Sequence, residues 1–117
     1  MPIGHYVLDD DGQPVPCSHT FTFAAWYANM DNRRLALSDV PGGDVSTVFL
    51  AIDHAHEWRE HVPVLWETLA TWGDGNQYIE RYETRSDALA GHDRIVANLR
   101  AGLKPDHVHK QNKQAPE

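Results

Sequence analysis

The stretch VSTVFLAIDH, residues 45–54, is the strongest strand signal in the chain. β-Branched and aromatic residues dominate it, as in a half-buried pleated strand. It runs directly into AHEWREH, residues 55–61, the most polar and histidine-rich part of the sequence. A strand that ends in a polar loop is a common way to present functional side chains. The stretch therefore predicts a central strand that delivers Asp53 and His54 to the start of a loop.

A tight hairpin is predicted immediately before this strand. Residues 33–40 have the composition of a strand, and residues 41–44 follow as a turn whose glycines supply the positive φ values that short loops need. With Gly42-Gly43 as the two-residue loop, one face of the hairpin is largely apolar, and we predict that this face is buried. Its residues are Leu35, Leu37, Val48, Leu50 and Ile52. The opposite face carries Phe49 and Ala51.

The remaining segments predict a ribbon, two helices and two further strands. The ribbon is formed by residues 5–8 and 13–16, the first helix by 20–30, the strands by 63–72 and 77–83, and the second helix by the segment from Thr84 to Gly102. This order favours the α+β class, as an antiparallel sheet of four to five strands with two helices packed on one face. The pattern leaves the inward face of residues 64–72 open, because large apolar side chains occur on both faces.

One α+β domain is expected, spanning residues 1–105, because a chain of 117 residues can form one hydrophobic core. Residues 106–117 are polar and show no periodicity, so we expect a disordered C-terminal tail. Deleting the chain after Asp106 should therefore leave the fold intact.

Both predicted helices carry an apolar stripe at spacings of three and four residues. The stripe of the first helix comprises Phe23, Trp26, Tyr27 and Met30, and that of the second comprises Ala88, Leu89, Ile95, Val96, Leu99 and Leu103. His92 lies on the second stripe, where an imidazole without a partner would be costly. We therefore expect His92 to be hydrogen-bonded to Glu67 or to a neighbouring strand group.

The chain is acidic, with a formal net charge of −7 and a pI of about 5.5. Such a surface repels nucleic acid and anionic membranes, and it suits a basic protein partner. A homodimer is a further option. No apolar run approaches the ~20 residues of a membrane span, and the N-terminus lacks the segments of a signal peptide, which together predict a cytoplasmic location. The lone Cys17 excludes an internal disulfide.

Three segments together resemble a group of small proteins from tailed phages, prophages and actinobacteria. The segments are VSTVFLAIDH (45–54), VLWETLATWGD (64–74) and RYETRSDALAGHDRIVANL (81–99). The shared pattern matches residues 45–54, Glu67-Thr68, Arg81-Tyr82, Thr84, Ala90, Gly91 and His92. The resemblance brings no established reaction. It implies a phage or prophage setting, where a small acidic accessory protein is often a host- or defence-interfering factor.

A first cluster of candidate functional residues lies where the central strand meets the polar loop. His54, His56 and His61, with their acidic neighbours, are of the types that bind divalent cations such as zinc. The helical zinc motif is not formed, because His56 and His61 are five residues apart rather than four. The alternatives are a metal site and a solvated polar loop, and in the second case no cofactor is expected.

A second cluster combines polar residues on or beside the predicted sheet. These candidate binding residues are Asp53, His54, Glu67, Arg81, Tyr82 and His92. A histidine on a helix that faces a strand carboxylate can be a buried pair that joins helix to sheet. The same residues could serve as a general acid and base, but the sequence contains no nucleophilic motif and no phosphate-binding glycine loop.

Three functions compete. The leading hypothesis is a non-enzymatic, phage-associated accessory protein that acts by binding a protein partner. The second is a small metal-binding protein or metal-dependent enzyme built on Asp53, His54, Glu67 and His92. The third is a small-molecule sequestering protein with aromatic walls, formed by Trp58, Trp66, Trp72 and Tyr82.

Overall fold

Nine elements make up the computed structural model of the chain, which describes residues 4–52 and 63–108. In chain order they are β1 (Tyr6–Leu8), β2 (Pro14–Pro16), α1 (Thr20–Ala28), α2 (Met30–Arg33), β3 (Arg34–Val40), β4 (Gly43–Phe49), β5 (Trp66–Trp72), β6 (Asn76–Tyr82) and α3 (Arg85–Arg100). β1 and β2 pair as a ribbon, and β3-β4-β5-β6 form a four-stranded antiparallel sheet. The predicted α+β class is confirmed, and every predicted element is present.

The register of the β3–β4 hairpin differs from the prediction by two residues. Val40 pairs with Gly43, so the loop is Pro41-Gly42 rather than Gly42-Gly43. Gly42 has a φ of 79°, and a proline followed by such a glycine fits a type II turn. Gly43 is needed for another reason, since a Cβ there would overlap the backbone of Thr71 on β5. Gly42 is therefore required by the turn, and Gly43 by the close approach of β4 to β5.

The buried face of the hairpin is the opposite of the predicted one. The side chains that face the helices are Val45, Thr47, Phe49 and Ala51, and all four are fully buried. Leu37, predicted to be core, is 52% exposed. The two-residue shift in register preserves which residues of β4 share a face, so the predicted faces are kept and the covered one is reversed. Phe49 decides this, because its ring packs at 5.8 Å from that of Trp26 and at 5.0 Å from that of Trp66.

The predicted strand is also too long, because β4 ends at Phe49. Leu35, at an irregularity of β3, and Ile52 are partly buried and still pack against the core, as predicted.

We call the covered side of the sheet the inner face and the other side the outer face. On β5 the inner residues are Trp66, Thr68 and Ala70, which settles the orientation left open by the sequence. α3 packs against the inner face, while α1 places Phe23 in the same cluster as Phe49 and Trp66. A second cluster joins Ile95, Val96 and Leu99 of α3 to Val40, Val45 and Ala70. The predicted packing of two helices on one face is confirmed.

The ends of the helices follow local rules. Thr84 caps α3, since its side chain accepts a hydrogen bond from the backbone N–H of Asp87 at 3.0 Å. α1 ends at Ala28, two residues before the prediction, and the short α2 leads into β3. Beyond α3, the Asn98 side chain donates to the carbonyls of Pro105 and His107 at 2.9 and 3.1 Å. In residues 4–52 and 63–108, no helix is both long enough and apolar enough to cross a membrane.

Candidate functional site

The predicted site residues lie in three places. Glu67 and Arg81 form an ion pair on the outer face, where Arg81 Nε donates to Glu67 Oε2 at 2.9 Å. Tyr82 and His92 lie on the inner side, beneath or within α3. The other candidates fall outside the described residues: Asp53, His54, His56 and His61. The structure therefore brings Tyr82 and His92 together and separates both from Glu67 by the thickness of the sheet.

His92 is buried between α3 and the sheet, with 3% of its surface exposed. Its Nδ1 lies 2.8 Å from Thr47 Oγ1, and its Nε2 lies 2.9 Å from Ser38 Oγ. Both partners are strand residues, on β4 and β3, so the expected bond to a neighbouring strand group is confirmed and Glu67 is not the partner. The imidazole thus ties α3 to two strands at once.

From His92 the hydrogen bonds continue across the inner face. Thr47 Oγ1 lies 2.5 Å from Thr68 Oγ1, and the Thr68 side chain lies near enough to the Tyr82 hydroxyl to act against the rise in its pKa. Tyr82 in turn donates to Glu80 Oε1 at 2.8 Å. We call this series the polar chain; its members are Ser38, His92, Thr47, Thr68, Tyr82 and Glu80. It crosses all four strands of the sheet beneath a single helix.

Glu80 is the anionic end of the polar chain. Besides Tyr82, the Tyr78 hydroxyl donates to its Oε2 at 2.7 Å, and Arg94 of α3 donates to its Oε1. Burial alone would raise the pKa of Glu80, but the hydrogen bonds from the two tyrosines and the charge of Arg94 hold it below its usual 4.5. Burial, with the bond to Glu80, raises the pKa of Tyr78 to about 12 and that of Tyr82 further. Glu80 is therefore ionised and both tyrosines are neutral near pH 7.

The ionised Glu80 carboxylate only accepts hydrogen bonds, so the hydroxyls of Tyr78 and Tyr82 and the guanidinium of Arg94 are its donors. The neutral His92 ring bonds the hydroxyl of Thr47 at Nδ1 and that of Ser38 at Nε2. A hydroxyl can donate or accept, so both ring nitrogens of His92 have a partner in either tautomer.

Sequence reasoning missed four members of the polar chain: Ser38, Thr47, Thr68 and Glu80. The signal for Glu80 was present, since Tyr78, Glu80 and Tyr82 alternate along one strand and so share a face. The two threonines were indistinguishable from ordinary strand residues until the inward face was known.

An open groove of about 690 Å³ lies where the end of β6 meets α3. From α3 it is lined by a stripe with helical spacing, Asp87, Ala90, Gly91 and Arg94. The other side is formed by Arg81 and Tyr82 of β6, by Glu83 just after β6 and by Val64 just before β5. Tyr82 and Arg94 belong to both the groove and the hydrogen-bonded surroundings of Glu80. Of the predicted site residues, Arg81 and Tyr82 line this groove.

The charges in the groove are not all balanced. Arg81 pairs with Glu67, and Arg94 pairs with Glu80. Within the described part of the chain, neither Glu83 nor Asp87 lies within ion-pair distance of a cationic side chain. The groove therefore presents two carboxylates without counterions beside the apolar surface of Val64, Ala90 and the Tyr82 ring.

Metal binding was the alternative for His54, His56 and His61. In residues 4–52 and 63–108, no group of three His, Cys, Asp or Glu side chains is arranged to hold a metal ion. The three histidines lie outside these ranges, so a metal site there stays a prediction.

No protein-family model matches the chain, and neither a curated protein nor a solved structure shows significant similarity to it. The resemblance to phage and actinobacterial proteins therefore stays a prediction.

Replacing His92 by alanine should lower the free energy of unfolding by about 1–3 kcal/mol at pH 8, because Ser38 and Thr47 would lose their shared partner. Chemical denaturation monitored by tryptophan fluorescence would measure this. A melting temperature that is unchanged or raised would contradict the stabilising role.

The stability of the wild type should also fall as the pH drops below 6.5. Burial lowers the pKa of His92 below this usual value, against an opposite effect of the Asp93 carboxylate. The unfolded chain then takes up a proton before the folded one does, so stability is lost from about pH 6.5 down to the folded pKa. The difference in stability between wild type and His92→Ala should shrink over this window. A constant difference would show that His92 is not held neutral.

Replacing Gly91 by alanine should destabilise the protein by about 1–2 kcal/mol, although glycine within a helix normally costs stability. A Cβ at this position would overlap the Tyr82 ring and hydroxyl, which the bond to Glu80 holds in place. Thermal unfolding of Gly91→Ala and of Gly91→Ala with Tyr82→Ala would test this, since the second change removes the obstacle. A stabilised single variant would contradict the close packing.

Proposed function

We propose that the protein acts by binding a protein partner that inserts a lysine or arginine side chain into the groove between β6 and α3. The observation that carries this proposal is the pair of carboxylates, Glu83 and Asp87, that have no counterion among the described residues. A basic side chain would neutralise both. Its aliphatic stem would pack on Ala90, Gly91 and the ring of Tyr82.

The rest of the groove favours this ligand over an anion. The guanidinium groups of Arg81 and Arg94 are engaged by Glu67 and Glu80, so they do not offer free positive charge. The net charge of −7 also attracts a basic partner over a longer range and raises its association rate. A groove of about 690 Å³ holds a few side chains, which suits a short segment of a larger protein.

The biological setting is part of the proposal. The resemblance of residues 45–54, 64–74 and 81–99 to phage and prophage proteins supports an accessory protein that interferes with a host or defence factor. The cytoplasm is the expected location, because such partners are found there.

Binding of short peptides would test the groove directly. Peptides that differ only in a central Lys, Arg, Gln or Glu would be titrated with the protein and followed by fluorescence anisotropy. We expect the Lys and Arg peptides to bind at least ~10-fold more tightly than the Gln peptide. The double variant Glu83→Gln with Asp87→Asn should lose this preference.

A matched control is Asp93→Asn, which removes one carboxylate from the exposed side of α3, outside the groove. It should retain the preference for basic peptides. Wild type, Asp93→Asn and the double variant would then each be used to capture partners from host lysate. A specific partner should be retained by wild type and by Asp93→Asn but not by the double variant. Equal binding of Lys and Gln peptides, or retention by the double variant, would refute the proposal.

A small-molecule ligand is the second candidate, because the groove volume lies within the ~300–1,000 Å³ of typical ligand sites. The aromatic walls expected for it are only partly in place. Tyr82 lines the groove, whereas Trp66 is 1% exposed within the core and Trp58 lies outside the described residues. Metal analysis of the purified, tag-free protein would separately test the metal-dependent alternative.

A further inference from the structure

The outer face of the four-stranded sheet carries three rows of side chains in cross-strand register. The apolar row consists of Leu37, Ser46, Leu69 and Ile79. The acidic row lies beside the apolar row, on the side of the β3–β4 turn, and consists of Asp39, Asp44, Thr71 and Gln77. The basic row lies on the other side of the apolar row and consists of Arg34, Val48, Glu67 and Arg81. Leu37 and Ile79, at the two ends of the apolar row, are 52% and 51% exposed.

The charges at the two sides of this face are unbalanced in opposite senses. Asp39 and Asp44 lie directly opposite each other on neighbouring strands, an arrangement of like charges that destabilises a sheet. In the described part of the chain, no cationic side chain lies within ion-pair distance of either carboxylate. The guanidinium of Arg100 donates instead to the backbone carbonyl of Asp39. Arg34 is likewise exposed and without an ion pair among the described residues, whereas Arg81 is engaged by Glu67.

We propose that the outer face binds a second copy of this chain, with the two-fold axis lying along the apolar row. Rotation about this axis keeps each strand over its own counterpart and reverses the strand direction. The apolar row of one copy then covers that of the other, so that Leu37 meets Leu37 and Ile79 meets Ile79. The acidic row of each copy lies over the basic row of its partner, which places Asp39 beside Arg34 of the other copy.

The charge pattern selects this orientation over the alternative. A two-fold axis parallel to the strands, through the middle of the sheet, would place β3 over β6, so that Arg34 lies over Arg81 of the other copy while Asp39 and Asp44 lie over Gln77 and Thr71 and gain no cation. The axis along the apolar row relieves the Asp39–Asp44 repulsion twice, once in each copy. Two twisted sheets packed in this way lie about 10 Å apart, close enough for side chains of both faces to interdigitate.

The size of the face sets the strength of the association. Four strands about 4.8 Å apart and seven residues long, at about 3.3 Å per residue, span roughly 19 by 23 Å. Such a face is smaller than the ~800 Å² per partner of a stable interface. We therefore expect a weak dimer that forms reversibly as the protein concentration rises, and that does not depend on the groove between β6 and α3.

Sedimentation equilibrium of the full chain, over concentrations up to about 1 mM, tests the proposal. The wild type should pass from monomer to dimer. Each charge reversal alone, Asp39→Arg or Arg34→Asp, should raise the dissociation constant at least ~10-fold, because like charges then meet twice in each dimer. An equimolar mixture of the two single variants should recover dimerisation as a heterodimer, and so should the double variant alone.

Recovery on mixing is specific to the proposed axis, because only there does residue 39 of one copy face residue 34 of the other. The matched control is Asp93→Arg, a reversal of the same kind on the exposed side of α3, which should dimerise like wild type. Circular dichroism of every variant at low concentration confirms that the monomer is folded. A wild type that stays monomeric, single reversals without effect, or a mixture that fails to recover would each overturn the proposal.

Discussion

Replacing Phe49 by alanine should lower the free energy of unfolding by about 3–5 kcal/mol, the range for large aromatic residues in a core. The Phe49 side chain is fully buried and packs against the rings of Trp26 and Trp66. Its loss would open a cavity where α1, α3 and the sheet meet. Equilibrium unfolding in urea, followed by circular dichroism, measures the difference.

The matched control is Leu37→Ala on the outer face of the same hairpin. With 52% of its surface exposed, Leu37 should contribute at most about 1 kcal/mol at concentrations where the protein is monomeric. A larger loss for Leu37→Ala than for Phe49→Ala would mean that the outer face is the covered one. The pair of variants therefore decides the orientation of the sheet without a further structure.

Replacing Glu80 by alanine should cost about 2–4 kcal/mol, because three donors lose their acceptor at once. The hydroxyls of Tyr78 and Tyr82 lie partly beneath α3, and Arg94 joins them from the helix. Glu83→Ala is the control, since Glu83 is exposed and without an ion pair among the described residues, and its effect should stay within ~0.5 kcal/mol.

Glu80 should also make the protein sensitive to acid. Its pKa is lower in the folded state than the usual 4.5, so it contributes stability that is fully present above about pH 4.5 and is lost as the pH falls through the folded pKa. Glu80→Gln keeps an acceptor oxygen without the titration. The stability of wild type relative to Glu80→Gln should therefore decrease below pH 4.5, and a difference that is constant with pH would show that Glu80 is not ionised by its surroundings.

Local sequence signals predicted the elements well. The ribbon, both main helices and the four strands all follow from periodicity and turn chemistry within a few residues. Such signals depend only on neighbours in the chain, so they can be recognised without knowledge of the tertiary structure.

The covered face of the sheet was predicted wrongly because it depends on partners far away in sequence. Residues 46, 48, 50 and 52 are about as apolar as residues 45, 47, 49 and 51, so hydrophobicity alone did not distinguish the two faces. Thr47 reads as a surface residue until His92 supplies a hydrogen bond from a helix 45 positions away. Polar residues usually indicate the exposed face of a strand, so a buried, hydrogen-bonded polar residue leads to the wrong face.

The candidate site was only partly predictable for the same reason. Arg81 and Tyr82 were identified and do line the groove, but Glu83 and Asp87 join them only because α3 folds back along β6. Their unbalanced charge is a property of the assembled groove, and neither residue is distinctive in the sequence.

The order of the strands has a consequence for how the molecule opens. The strands β3 to β6 pair in chain order, as a meander, and α3 follows directly after β6. Most contacts among these five elements therefore join segments that are neighbours in the chain, which favours rapid folding. The ribbon joins them through the His5–Ile52 bridge and the bond from Tyr6 N–H to the Ala51 carbonyl, contacts between residues 47 and 45 positions apart in the chain. In amide hydrogen exchange, the ribbon of β1 and β2 should therefore open at a lower free energy than the sheet of β3 to β6. Unfolding then starts at the ribbon, while the groove and the outer face stay folded.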